Sequence, residues 1–154
     1  MPSPADTRLL VDVMCGRLAT YLRMCGYDAA YALDRGVEAD DGVLDIARDE
    51  GRTVVTRDVE LAARADRSVL LRSRDVTDQL RELLDAGFAL ELTEPARCAT
   101  CNGPLERLPD GGPTPDHAPD TDETAVWRCL DCGQEFWRGS HWDDVEKRLA
   151  ELRD

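Results

Sequence analysis

The sequence predicts an α/β fold in which a parallel sheet is flanked by helices, followed by a small cysteine-bearing unit and a terminal helix. Three observations predict it. Short apolar or β-branched runs alternate with amphipathic stretches of about ten residues as far as residue 92. Two Cys-x-x-Cys pairs, Cys98/Cys101 and Cys129/Cys132, stand in the last third. The residues from Ser140 onward carry a helical apolar stripe.

The elements follow in order. Residues 8–13, Arg-Leu-Leu-Val-Asp-Val, form a short apolar run ending in an acid, and predict a buried strand. Gly16 to Met24 predicts a helix with Leu18 and Leu22 on one face, stopped by Gly26. A weak second strand falls around Asp28 to Ala32. Asp40 or Asp41 can N-cap a helix that turns Val43, Leu44 and Ala47 inward and ends before Gly51. Thr53 to Thr56 is a β-branched strand, Glu60 to Ala65 a helix, and Val69 to Leu71 another strand. Asp75 can cap a helix holding Val76, Leu80, Leu83 and Leu84, and Phe88 to Leu92 predicts a last strand. The final helix starts at Ser140, with Asp143 as an approximate capping box and Trp142, Val145, Leu149 and Leu152 as its stripe. Two units result, residues 1–94 and 95–154. Residues 109–124, with four prolines, two glycines, five acids and no basic residue, read as a mobile acidic loop inside the second.

Charge narrows the function classes. The chain holds 32 acidic residues, 18 arginines and one lysine, for a net charge of −13. That balance argues against wholesale nucleic-acid binding but leaves room for a local arginine patch. Excess acid with lysine nearly absent reads as adaptation to high salt, where screening makes self-repulsion tolerable. A GC-rich genome favouring arginine is the alternative. No apolar run is long enough for a membrane span, and the first residues lack the basic-then-apolar pattern of a signal peptide, so the expected compartment is the cytoplasm.

The cysteine pairs match a four-thiolate zinc site. Each turn delivers two sulfurs to one ion, and a hairpin brings the turns together. Asn102-Gly103 and Gly133 follow the second cysteine of each pair, where such turns use positive φ. Four closed positions imply a structural zinc, the competing readings being redox dithiols or disulfides. Cys15 and Cys25 lack a pairing pattern and read as buried thiols. His141 reads as a polar turn residue.

A second constellation is acidic. Asp12 closes the first strand, Asp40 and Asp41 open a helix, and Asp58 follows the Thr53–Thr56 strand, with Glu60 two residues on. Parallel sheets place active sites outside the carboxyl ends of their strands, so these carboxylates can converge on one cleft. Clustered carboxylates without histidine suit Mg²⁺ or Mn²⁺, which activate water and neutralise phosphate charge. Each acid taken alone is equally a helix cap or a surface charge. Arg17, Arg23 and Arg57 flank the same edge, either holding phosphates or pairing with the acids.

The segments Val11-Asp12-Val13-Met14-Cys15-Gly16-Arg17-Leu18-Ala19, Leu22-Arg23-Met24-Cys25-Gly26-Tyr27-Asp28 and Thr56-Arg57-Asp58 resemble the mut-seven C-terminal RNase family. So do Arg97 to Leu105 and Trp137-Arg138-Gly139-Ser140-His141-Trp142, and the resemblance covers roughly residues 8 to 145. It implies a PIN-like nuclease domain fused to a zinc ribbon, with Asp12, Asp40 or Asp41, and Asp58 as metal-binding acids and RNA as substrate. Glu60 stands where many PIN domains place a further Asp. The Glu that many carry on an earlier helix has no clear counterpart here. The resulting expectation is a Mg²⁺- or Mn²⁺-dependent endoribonuclease, with Arg128 and Arg138 on the ribbon near RNA. The rival is a non-catalytic adaptor that binds RNA or protein through the ribbon.

Overall fold

A computed structural model of the chain describes residues 2–153; Met1 and Asp154, the outermost residues of the two expected units, lie outside the described residues. Strands β1 (Arg8–Val11), β2 (Asp28–Tyr31), β3 (Arg52–Thr56) and β4 (Ser68–Leu70) alternate with helices α1 (Gly16–Met24), α2 (Asp40–Glu50), α3 (Val59–Arg64) and α4 (Val76–Asp85). Every strand pair is parallel and the spatial order is β2-β1-β3-β4, so the fold is the α/β architecture predicted. Each strand returns to the sheet through a helix, the connection a parallel pair requires.

Alternation along β1 assigns the two faces. Leu9 and Val11 join Leu18 and Leu22 of α1 and Leu80 and Leu83 of α4 in one core. Leu10, pointing the other way, joins Val43, Leu44 and Ala47 of α2 and Leu61 of α3. All five residues of β3 are buried, as expected for a strand covered on both faces. Gly26 ends α1 at φ +91°, a conformation costly for any residue with a Cβ.

Several boundaries differ from expectation. β1 ends at Val11, because Asp12 caps a single 3₁₀ turn over Val13–Cys15. The N-cap of α2 is Ala39, which places Asp40 and Asp41 inside the first turn. There their charge favours the positive end of the helix dipole without capping it. Residues 88–92 form no strand. The Ala89 amide bonds the Pro2 carbonyl at 3.0 Å, and the carbonyls of Ala89 and Leu90 accept from Tyr27 Oη at 2.8 Å and Arg153 Nη1 at 2.6 Å. Partners outside the sheet thus satisfy this backbone, while Phe88 and Leu90 fill the core.

Beyond residue 94 the chain forms an antiparallel sheet of β5 (Leu105–Arg107), β6 (Val126–Cys129) and β7 (Glu135–Trp137), then α5 (Ser140–Arg153). α5 returns to the parallel sheet's core: Val145 and Leu149 pack with Leu18 and Leu80. Trp142, expected in that buried stripe, is only half-buried. The acidic loop closes on itself through Thr121, which is buried and donates to the Gly112 carbonyl at 3.1 Å. Among the described residues no helix is long and apolar enough to cross a membrane.

Candidate active site and metal centre

The two cysteine turns converge. The sulfurs of Cys98, Cys101, Cys129 and Cys132 all lie within 4.8 Å of one another, with Cys98–Cys132 at 3.6 Å and Cys101–Cys129 at 3.5 Å. A tetrahedron with Zn–S bonds of ~2.3 Å has edges of about 3.8 Å, so the four sulfurs can hold a zinc ion. The backbone supports this arrangement. The Cys101 amide points at Cys98 Sγ, and those of Asp131 and Cys132 point at Cys129 Sγ, each at 3.4 Å. Burial opposes ionisation of Cys129, yet the Cys132 and Asp131 amides pull its thiol down to about 7. Asn102 and Gly133 adopt φ +72° and +80°, as the sequence led us to expect. Gly103 is needed for a different reason: a Cβ there would lie 2.9 Å from Cys129 Sγ.

The first cysteine turn is docked on the free edge of β2. Asn102 Oδ1 accepts from the Ala29 amide at 2.9 Å, and its Nδ2 donates to Asp28 Oδ1 at 2.7 Å. Arg23 completes the joint. It is 4% exposed and donates to the carbonyls of Ala29, Ala99 and Thr100 at 2.8, 3.1 and 3.2 Å. Three of its bonds go to backbone carbonyls and its Nη2 faces Asp34 at 3.8 Å.

At the carboxyl ends of the two central strands, β1 and β3, Asp12 and Asp58 are linked through Thr56. The strands are in register at Val11 and Val55, and the Asp12 amide continues the ladder to the Val55 carbonyl at 3.0 Å. Asp12 is 6% exposed. Its Oδ1 accepts from the Val13 amide at 2.8 Å and its Oδ2 from Thr56 Oγ1 at 2.7 Å. The same hydroxyl accepts from the Asp58 amide at 2.9 Å. Asp58 Oδ1 in turn caps α3, accepting from the amides of Glu60 and Leu61 at 2.9 and 3.2 Å. Arg57 lies between these acids in sequence, and its Nε is buried without a hydrogen-bond partner. Burial, reinforced by the Asp12 carboxylate, pushes the Cys15 thiol up to about 11, so Cys15 is the buried thiol expected.

The Mut7-C RNAse domain model matches residues 7–149. The chain belongs to the Mut7-C RNAse domain family. No curated protein and no solved structure matches it significantly.

Of the other acids of this Mut7-C RNAse domain, Asp41 has a partner of its own. Asp41 is exposed and pairs with Arg64, at the end of α3, at 2.6 Å. The charges of Asp41, Asp40 and Glu60 all act on that guanidinium. Among the described residues, the four cysteines are the one group of three or more metal-binding side chains with donor atoms within 4.8 Å of each other. Arg17 is exposed on α1, and His141 is exposed and outside the sulfur cluster. The sequence pattern did not single out Thr56, Asn102 or Arg64. Thr56 was hidden as a strand former, and Asn102 as a turn residue.

Proposed function

We propose that this chain is a metal-dependent endoribonuclease that hydrolyses RNA phosphodiester bonds at the edge where β1 and β3 end. One observation carries the reading: the buried Thr56 hydroxyl binds both the Asp12 carboxylate and the Asp58 amide, tying together two acids that follow neighbouring strands at the carboxyl end of a parallel sheet. The family's name supplies RNA as the substrate class.

Asp12 and Asp58, with Asp40 or Asp41, would hold a divalent ion. All-oxygen donors fit Mg²⁺ or Mn²⁺ rather than zinc. Each Asp12 oxygen accepts one hydrogen bond and keeps a lone pair for a cation. When bound, such an ion supplies activation of water and neutralisation of phosphate charge. The chain's own residues do the rest. Thr56 orients Asp12, and the Glu60 and Leu61 amides orient Asp58. Arg57, partly exposed beside Asp58, offers guanidinium donors for a phosphate oxygen. Arg17 is a further phosphate contact. The cysteine site holds a structural zinc that stiffens the joint with β2.

The test is cleavage of a labelled single-stranded RNA with Mg²⁺ or Mn²⁺. Asp12→Asn and Asp58→Asn should each abolish cleavage while leaving the fold intact, and undiminished cleavage in both would sink the assignment. The engagement of Asp41 by Arg64 favours a second reading, an adaptor that binds RNA or protein through the ribbon without turnover. RNA binding with no cleavage at any divalent-ion concentration would support that reading.

A further inference from the structure

We propose that a cleft between the ribbon and α1 is a stacking pocket for one unpaired nucleobase of the RNA strand. The choice of RNA rests on the ribonuclease reading; the pocket itself rests on its lining. The cleft measures about 250 Å³ and is walled by the aromatic rings of Phe136, Trp137 and Trp142. Drug-sized ligands fill roughly 300–1,000 Å³, so this volume suits a single flat heterocycle. Phe136, Trp137 and Trp142 are all half-buried, which leaves part of each free for a guest.

The walls are held in place. Arg138 lies over Trp127 and Trp142, 5.5 and 5.8 Å from the ring centroids, and fixes the Trp142 indole. Gly139 lets the Trp137 indole fold back over the turn, since a Cβ there would meet its Nε1 at 2.9 Å.

Charge around the cleft runs against the rest of the molecule. In a chain of net charge −13, the rim carries His141 and Arg97, whose Nη2 also faces Asp28 at 3.7 Å, with Arg138 behind it. Its one acid, Glu135, is already paired with His117 at 3.3 Å and Arg128 at 3.5 Å. Cationic groups among aromatic faces are the chemistry that takes up splayed bases from single-stranded RNA. Stacking also suits this protein physically. A strongly acidic chain gains little from phosphate contacts, which salt weakens, whereas stacking does not depend on net charge. The cleft lies at the Met24 end of α1, and the Asp12 edge lies beyond the Gly16 end, roughly 13 Å apart along the helix. A single strand can bridge that distance, so the pocket would select substrate by an unpaired base away from the cut.

The experiment uses the zinc-loaded full chain carrying Asp12→Asn, so that binding is read without cleavage. A labelled adenylate hexamer and an abasic strand of the same length are titrated by anisotropy, with indole emission followed in parallel. The hexamer should quench indole emission and bind about tenfold more tightly than the abasic strand. Trp137→Leu should weaken the hexamer about tenfold and leave the abasic strand unchanged, while Trp137→Phe should restore binding to within about twofold. Zinc content and circular dichroism check that each variant folds. Equal affinity for both strands, or hexamer binding unchanged in Trp137→Leu, would overturn the pocket even if the unmutated protein cleaves RNA. Failure of every oligonucleotide to quench would overturn it too, leaving the cleft to a protein partner. Base-dependent quenching in a protein that never cleaves would support the pocket and remove only the nuclease reading.

Discussion

Thr56 Oγ1 donates a 2.7 Å hydrogen bond to Asp12 Oδ2, although the two residues are 44 positions apart. The hydroxyl also accepts from the Asp58 amide, so it couples both acids of the proposed site to the β1–β3 ladder. Removing it should cost more than one hydrogen bond. Thr56→Val leaves a buried carboxylate oxygen and a backbone amide unpaired, which predicts a loss of about 1–3 kcal/mol in urea unfolding. Thr56→Ser keeps the hydroxyl and should recover most of it. A loss in the serine variant equal to that in the valine variant would show that packing matters there, and not the hydroxyl.

Asp58 caps α3 and belongs to the proposed site, and substitution can separate the two. Asparagine still accepts from the Glu60 and Leu61 amides, so Asp58→Asn should melt within a degree or two of the parent while losing cleavage. Asp58→Ala loses the cap as well and should be about 1 kcal/mol less stable. Thermal melts alongside an RNA cleavage assay distinguish the two outcomes.

Asn102 tests the joint between ribbon and sheet. Asn102→Gly preserves the positive φ but removes the contacts to Ala29 and Asp28. It should cost about 1–3 kcal/mol and speed hydrogen exchange at the Ala29 amide, with zinc still bound. Unchanged protection at Ala29 would mean that the joint does not depend on this side chain.

Gly103→Ala should weaken zinc binding, because its Cβ would crowd Cys129 Sγ at 2.9 Å and Asp131 Oδ2 at 2.7 Å. Competition with a chromogenic chelator measures this, and an affinity loss of several-fold or more is expected. Stripping the zinc with a strong chelator should lower the melting temperature of the parent, since ligand binding to the native state is folding free energy.

Acid should expose the Glu50 network. Glu50 pairs with Arg35 at 2.7 and 3.0 Å and with Arg52 Nε at 2.7 Å, and these partners, Arg35 foremost, hold its carboxyl down to about 2. A depressed folded-state value stabilises above the ordinary carboxyl range. That contribution is complete above about pH 4.5 and is lost as pH falls toward about 2. The melting temperature of Glu50→Gln should therefore lie below the parent at neutral pH and converge with it toward pH 2. Parallel curves across that window would count against the pairing.

Much of the architecture is legible in the chain because it is local. Leu18 and Leu22 repeat with the helical period, Thr53 to Thr56 is β-branched, and glycine or asparagine follows each cysteine pair where positive φ is needed. Phe88 to Leu92 misled for a physical reason. An apolar extended run looks the same whether its amides enter a ladder or, as here, bond to Pro2 while side chains of Tyr27 and Arg153 take its carbonyls. What Arg23 faces was not legible, because the carbonyls of Ala99 and Thr100 that it binds are more than seventy residues away in the chain.

The sequence by itself determined the alternating strands and helices, the two cysteine turns and the acids at strand ends, because periodicity, turn chemistry and ligand spacing act over a few residues. Only the tertiary structure decided that Thr56 joins Asp12 to Asp58, that Asn102 and Arg23 lock the ribbon to β2, that Arg64 holds Asp41, and that three aromatic rings wall a cleft beside α1. Those pairings span tens of residues. Chain crossings fix them, and the need to satisfy every buried polar group selects among the possible partners.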